Sequence, residues 1–272
     1  SAQEAQSIAS ELGKEVVVKA QAWITGRAGA GAIKFAGSPA EAGAHAQSLL
    51  GQVLNNQRVD KVLIEEKLDL AAEYYAGVIV NDRLRKPVLV FSSIGGTGLE
   101  ELAARFPQKI VHHPIQVSTG LREFEVRNLI RKTGVPSAHL PAVADLVVRL
   151  YAAARRCEAR SAEINPIGVS PQGRVYAVDC RIVVDDNAVY RHPELGIEVA
   201  REFDHPPTEL ERIAYKVEEK DYRGTFYFIQ LETDPRGTGY IAFHGGGGGG
   251  AIMGMDALAR QGFRLLNFCD TS

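Results

Sequence analysis

The sequence predicts an α+β domain followed by the opening of a smaller α/β unit, and three observations carry that assignment. Runs of strand residues over 62–91 and 160–179 pair as hairpins by pattern, while helices gather at 121–132 and 141–156. Mostly antiparallel strands with segregated helices make an α+β domain. The texture changes near 200–208, where Asp204-His205-Pro206-Pro207 reads as a linker. Beyond it come a strand, six consecutive glycines from Gly245 to Gly250, an apolar helix and a further strand, the order of an α/β unit. The expected domains are therefore 1–204 and 205–272. A single α/β unit cannot bury both faces of a parallel sheet, so the second reads as incomplete.

Each element has its own signal. Ala5, Ile8, Ala9 and Leu12 fall at helical spacing, which predicts a helix over 2–12 that Gly13 ends. Val16-Val17-Val18 is a buried strand running into Lys19, and 24–31 is a glycine-rich loop before a strand at 33–36. Ser38-Pro39 is a cap followed by proline in the first turn, starting a helix that runs to about Leu50. Val62-Leu63-Ile64 is a strand ending in Glu65-Glu66, and 74–80 with 88–91 flank a turn at Asn81-Asp82. Gly95-Gly96 opens a second glycine loop before a short helix at 99–105. Strands at 160–164 and 174–179 join across Pro171-Gln172-Gly173. In the second part the expected elements are helix 208–218, strand 225–231, a turn at 234–237, strand 239–243, helix 251–261 and strand 263–268.

Composition narrows the function. At 272 residues, 45% hydrophobic and 24% charged, the chain has the make-up of a soluble globular protein with a sizeable core. A net charge of −2 argues against a nucleic-acid partner, and no apolar run approaches a membrane span. The N-terminus lacks a basic start and an apolar core, so no signal peptide is expected. Cys157, Cys180 and Cys269 are scattered, odd in number and without ligand spacing, which suits reduced thiols in the cytoplasm. His112, His113, His139, His192 and His205 show no ligand spacing either and read as structural or surface residues.

The most informative run is Glu163-Ile164-Asn165-Pro166 followed by Val178-Asp179. Asn-Pro and Asp are common turn formers, and either alone reads as a turn. Together they set oxygen donors on two adjacent strands, with Glu163 on the same side as Asn165. Such a donor set suits a hard divalent cation such as Mg²⁺, which takes one or two protein ligands and completes its shell with phosphate and water. Lys19, ending an apolar strand, reads either as a buried stem with its head in water or as a point charge for phosphate. The loop Gly26-Arg27-Ala28-Gly29-Ala30-Gly31 can offer N–H groups to an anion, but it is no P-loop, and alone it reads as a flexible hairpin. Glu65 and Glu73 read as solvated surface or as carboxylates for ribose hydroxyls. The six glycines sit between a strand and an apolar helix, where bare backbone at a helix start suits a carboxylate or phosphate. A low-complexity linker is the alternative reading.

These residues resemble the β-subunit of succinyl-CoA synthetase and its relatives among nucleotide-dependent acid–CoA ligases, which include malate–CoA ligase, citryl-CoA synthetase and ATP-citrate lyase. Val17-Val18-Lys19-Ala20-Gln21 is similar to the family's VVKxQ strand, and 26–34 to its GRGKAGGVK loop. Leu63-Ile64-Glu65 with Asp69 and Glu73 resembles LVE…DI..E, Glu163 to Pro166 is its EINP, and Asp179 through Arg191 is similar to DGK…DGNALFR. The resemblance implies an ATP-grasp fold for the first domain and the start of a flavodoxin-like α/β CoA-ligase domain for the second. It implies Lys19 on the phosphates of ATP/ADP or GTP/GDP, with Gly26, Arg27 and Ala28 forming the loop over them. Glu65, Leu68 and Glu73 fall at adenine and ribose, and Asn165 and Asp179 at Mg²⁺. Glu163 falls at the glutamate that steadies a phosphohistidine delivered by a CoA-binding α-subunit or domain. The implied substrate is a dicarboxylic or tricarboxylic acid, contacted by His244, Gly245, Gly246 and Gly247. Four departures stand out. Gly29 replaces the loop lysine, 94–98 replaces EGGVE, Arg181 replaces the lysine of DGK, and His244 or a glycine stands at the asparagine of VNGAG. The family's opening strand and helix and most of its second domain lie outside this sequence, which reads as a fragment or one piece of a longer chain. A citrate- or malate-specific ligase, a non-catalytic scaffold subunit and an amide-forming ATP-grasp ligase are the alternatives.

Overall fold

In the computed structural model, which describes residues 1–22, 29–54, 57–95, 104–197, 207–221 and 223–271, the first helix, α1 (Ala2–Leu12), is framed at both ends. Ser1 and Glu4 form a capping box, and Gly13 closes the helix at φ 63°. The second, α2 (Pro39–Leu49), has Ser38 as N-cap and proline in its first turn. Ala5 and Ala9 of α1 and Ala42 and Ala46 of α2 share one buried cluster. Between the two helices, a Cβ at Gly43 would stand 3.2 Å from the Ala2 carbonyl, so small side chains set the approach.

Both helices cover one face of a three-stranded antiparallel sheet, β2–β1–β5, made of β1 (Val16–Gln21), β2 (Ile33–Ala36) and β5 (Lys61–Glu66). Val16, Val18 and Ala20 of β1 join the helices in that cluster. By strand alternation Val17, Lys19 and Gln21 face the other way. A two-residue hairpin, β3 (Val53–Leu54) and β4 (Gln57–Arg58), lies between α2 and β5.

A second sheet carries the larger core. Its members are β6 (Ala72–Asn81), β7 (Lys86–Ser92), β8 (Ile110–Pro114), β9 (Ala159–Val169), β10 (Val175–Ala177) and β11 (Cys180–Val184), in the order β10–β9–β6–β7–β8 with β11 also on β9. Two helices, α3 (Glu123–Arg131) and α4 (Leu140–Arg156), pack on it. Leu140, Val143, Ala144, Val147, Leu150, Tyr151 and Ala154 form the buried stripe of α4. That is the 3.6-residue period of a helix lying on a sheet. The stripe meets Tyr74, Ala76, Val78, Leu89, Phe91, Ala162, Ile164, Ile167 and Val169 in one apolar cluster. The hydroxyl of buried Tyr74 hydrogen-bonds His139 Nδ1 at 2.7 Å and pins the start of α4 to β6.

Two expectations need correction in this unit, and one strand was not expected. The strand expected to stop at Ile164 continues to Val169, and the one expected over 174–179 is interrupted at Val178-Asp179 and resumes as β11. The physical reason is Pro166, which lacks an N–H and is accommodated within the sheet by a bulge. The edge strand β8 had no clear signal, because polar His112 and His113 and a terminal proline hide it. The expected loop at 26–28 and most of the expected helix at 99–105 lie outside the described residues, as does the linker stretch 204–206.

The chain divides into two compact units, Ser1–Ile197 and Glu198–Ser272. The second contains α5 (Glu209–Glu218), β12 (Phe226–Gln230), β13 (Tyr240–Ile241), α6 (Gly248–Arg260), β14 (Arg264–Leu265) and β15 (Asn267–Thr271). β13 pairs β14 in parallel and β12 pairs β15 antiparallel. The single strand expected over 263–268 is thus two, split at Leu266, whose carbonyl receives the N–H groups of Leu231 and Glu232. The helix expected from Ala251 begins at Gly248, so three of the six glycines are its first turn. Asp221 closes the turn into β12. The backbone N–H of Phe226, with those of Thr225 and Arg223, holds its carboxyl below the usual range.

Glu211 is the polar residue buried in this unit, at 2% exposure among the described residues. One oxygen accepts from Thr208 N at 2.8 Å, completing a capping box on α5, and the other accepts from Gln230 N at 3.0 Å. Glu211→Ala leaves a buried N–H unpaired. It is expected to lower the stability of this unit by about 1–3 kcal/mol and to speed hydrogen exchange at Gln230. Unchanged protection there would show that the carboxylate does not hold β12 in place.

Candidate functional site

The candidate site forms where the open face of the first sheet meets the interrupted ladder of the second. Lys19 is 6% exposed and stands on the face of β1 away from the helices. Its ammonium donates to the Val178 carbonyl at 3.0 Å and lies 2.6 Å from Glu65 Oε2. The carboxylate partner follows from register. Val17 stands opposite Glu65 and Lys19 opposite Leu63, so Lys19 and Glu65 are diagonal neighbours on antiparallel strands. Glu65 Oε2 is buried and, apart from this ion pair, has no hydrogen bond of good geometry.

Val178 leads directly to the oxygen donors. β10 and β11 keep one continuous register against β9, from Ala177 opposite Ile167 to Cys180 opposite Ile164. Asp179 therefore stands opposite Asn165. The backbone agrees: Asn165 N donates to Asp179 O at 3.0 Å, and Val178 N to Pro166 O at 3.1 Å. The Asn165–Pro166 peptide is cis. On the other flank of β9 the ladder with β6 slips by one residue, Tyr74 pairing Ile167 while Ala76 pairs Ile164. Core residues accordingly change parity from Ala162 and Ile164 to Ile167 and Val169. Glu163 and Asn165 are left on the face away from that core.

Glu163 sits between Gly77 of β6 and Arg181 of β11. Tyr75 donates its hydroxyl to Glu163 Oε2 at 3.1 Å. Burial first, and then the Glu163 charge, push the phenol well above its ordinary range. Cys180 is exposed as a residue, yet partial burial of its thiol, then the charges of Asp179 and Glu163, raise its pKa. One thiol thus senses both carboxylates.

The structure brings Lys19, Glu65, Asp179, Asn165 and Glu163 to one region of the first unit. Glu73 is exposed on β6, and its carbonyl receives Gly95 N at 3.0 Å. Leu68 is half-buried in the connection between β5 and β6. Beside it in sequence, Leu70 packs with Val178 against Gly168, where a Cβ would meet them at 2.6 and 2.8 Å. Gly26, Arg27 and Ala28 lie outside the described residues. Sequence reasoning did not single out Tyr75 or the Val178 carbonyl. The signal for Tyr75 was its place on β6, two residues before Gly77 and on the same face.

A metal at Asn165 and Asp179 would be held by one carboxylate and one amide oxygen. Among the described residues no group of three or more His, Cys, Asp or Glu gathers as a metal cage. One carboxylate and one amide oxygen are hard oxygen donors of the kind Mg²⁺ takes, with waters completing its shell.

In the second unit His244 is exposed, its Nδ1 3.3 Å from Cys269 Sγ and its Nε2 3.2 Å from Thr271 Oγ1. Gly245 N donates to Cys269 O and Gly247 N to Asp270 Oδ1, both at 2.8 Å. Gly247 adopts φ 88° as the N-cap of α6. No helix among the described residues is long and apolar enough to cross a membrane.

Comparison with known proteins shows the family. The ATP-grasp domain family matches residues 1–169. The β-subunit of a GDP-forming succinate–CoA ligase from Thermus thermophilus is 38% identical over 268 residues, which cover 98% of this chain and 66% of that protein. The β-subunit of an ADP-forming succinate–CoA ligase from Deinococcus deserti is 35% identical over 269 residues, with the same shares of 98% and 66%. The chain thus spans 66% of the length of these curated relatives. Among solved structures, ATP citrate lyase from Methanothrix soehngenii, in complex with citrate and coenzyme A, matches with a TM-score of 0.71 at 19% identity, over 96% of this chain and 60% of that one. The fold is ATP-grasp, and the chain belongs to the family of nucleotide-dependent acid–CoA ligases that includes the succinate–CoA ligase β-subunits.

Proposed function

We propose that this chain is the nucleotide-binding part of an acid–CoA ligase, working in the cytoplasm with a CoA-binding α-subunit or domain. The observation that carries this reading is the Lys19 ammonium on the Val178 carbonyl. That contact sets a desolvated cation on the residue next in sequence to Asp179, which stands opposite Asn165, and this supports reading the cation as a phosphate site and the oxygens as metal ligands. In this reading residues 1–204 are the ATP-grasp domain and 205–272 the start of the CoA-ligase domain. Lys19 binds the nucleotide phosphates, and its partner Glu65, with Leu68 and Glu73, lines the adenine and ribose. Gly26, Arg27 and Ala28 form the loop over the phosphates. Asn165 and Asp179 would hold Mg²⁺, which would supply positive charge against the charge that builds on the phosphates.

Glu163 faces a histidine of the partner and accepts its imidazole N–H, leaving the other ring nitrogen as nucleophile. A bond forms from that nitrogen to the terminal phosphorus of ATP or GTP, and the bond from that phosphorus to the bridging oxygen breaks, releasing the diphosphate. The carboxylate of a dicarboxylic or tricarboxylic acid then displaces the imidazole to give an acyl phosphate. CoA thiolate displaces phosphate to give the thioester. The partner's histidine makes the bond to phosphorus, and the residues of this chain contribute positioning and electrostatics. His244 and Gly245 to Gly247 contact the acid.

Asn165→Ala combined with Asp179→Ala is expected to abolish Mg·ADP binding in calorimetry, and an unchanged affinity would rule out that site. Asp179→Asn, in a chain with Cys157 and Cys269 replaced by serine, should speed alkylation of Cys180 at pH 8. Removing the charge lowers the thiol pKa, and the thiolate is the nucleophile. A slower or equal rate would place the Asp179 carboxylate away from that thiol. A second reading, a non-catalytic scaffold subunit, is favoured by Gly29, an exposed turn residue at the position of the family's loop lysine. A melting temperature that rises with Mg·ADP supports the ligase; no rise supports the scaffold.

A further inference from the structure

Tyr75 is buried at 6% exposure, yet it belongs to neither apolar cluster of the described residues. Its neighbours Tyr74 and Ala76 face the main core, so the pleat turns Tyr75 to the opposite face, the one that carries Glu163. A tyrosine on a strand ordinarily stands away from the sheet. Here the ring lies down along β6 over Gly77. A Cβ at 77 would overlap the Tyr75 hydroxyl and come within 3.0 Å of its Cζ. Gly77 stands directly opposite Glu163 in the ladder, so the empty space above this glycine is the path by which the hydroxyl reaches Glu163 Oε2 at 3.1 Å. The slip in the β6–β9 register falls between Tyr74 and Ala76, at Tyr75 itself.

We propose that Tyr75 is a positioning residue for Glu163: its hydroxyl, admitted by Gly77, fixes one carboxylate oxygen and so orients the other toward the group presented by the partner. The inference rests on the reading of Glu163 given above. A half-buried glutamate in the middle of a sheet has several rotamers open to it. One hydrogen bond from a rigid buried phenol selects among them before any partner arrives, and preorganisation of this kind lowers the cost of reaching the reactive geometry. Tyr75 touches neither substrate nor metal and acts through Glu163.

The test uses the full-length chain assembled with its partner subunit and reads single-turnover transfer from Mg·[γ-³²P]ATP to the partner histidine, with Mg·ADP affinity measured alongside. Tyr75→Phe keeps the ring and should slow transfer about tenfold to a hundredfold, the range for losing one hydrogen bond to a charged group, with nucleotide affinity unchanged. Gly77→Ala, which closes the path, should slow transfer to a similar degree. In a Glu163→Gln background, Tyr75→Phe should add no further loss, because residues acting as one unit are not additive. Transfer at the wild-type rate in Tyr75→Phe, or full additivity with Glu163→Gln, overturns this proposal and leaves the role of Glu163 standing. A wild-type assembly that labels no histidine overturns the underlying reading and this proposal with it.

Discussion

A proline in the middle of the longest strand governs the geometry of this molecule. Pro166 has no N–H to give to the ladder, and both flanks of β9 are irregular around it. On one side the partner strand is interrupted at Val178-Asp179, between β10 and β11. On the other, the β6 register slips by one residue at Tyr75. The interruption leaves the Val178 carbonyl to accept from Lys19, and the slip moves the core alternation from even to odd residues along β9. The Val178 carbonyl thus links the two sheets, and alternation from Ala162 and Ile164 sets Glu163 and Asn165 on the face away from the core.

Lys19 is the second determinant. Its side chain is 8% exposed, whereas that of Glu65 is 40% exposed, so the cation has lost more water than its partner. Desolvating an ammonium costs several kcal/mol, and ion pairs in such settings often contribute little net stability. An apolar residue at 19 would pack against Val17 without that cost. The charge is retained where it reaches another strand's carbonyl and a carboxylate oxygen that has no other good hydrogen bond. A protein that only needed to join two sheets has cheaper means, and an anion arriving at this cation would meet it already stripped of solvent.

Much of the first unit was legible because its signals are local. Ser1, Glu4 and Gly13 frame α1, Ser38-Pro39 starts α2, and the alternation around Asn81-Asp82 makes a hairpin. The alternation of β9 likewise separates Glu163 and Asn165 from Ala162 and Ile164. What was not legible depends on partners distant in sequence. Asn-Pro carries a strong turn preference, and only pairing with β6 and β10 keeps β9 extended through it. The Val178 carbonyl has no side-chain signature and becomes notable only when Lys19, 159 residues away, reaches it. Tyr75 reads from sequence as an ordinary strand tyrosine, because its orientation depends on Gly77 and its partner lies on another strand.

The glycine run shows the same division in the second unit. Helix propensity opposes a start at Gly248, at about 1 kcal/mol per glycine relative to alanine. The helix begins there because Asp270 accepts from Gly247 N and because Gly245 lies against Ala251, where a Cβ would come within 2.5 Å of the alanine Cβ. Gly245 is therefore required by packing and Gly247 by its positive φ. Gly246, Gly249 and Gly250 have nothing within 4 Å of where a Cβ would stand, and Gly248 only the Asp270 carboxylate at 3.5 Å. Alanine at Gly249 or Gly250 would fit this unit and favour the helix. Local choices that run against the fold without a packing return are where a sequence departs from structural need, and here they leave bare backbone at the start of α6, beside an imidazole held by Cys269 and Thr271.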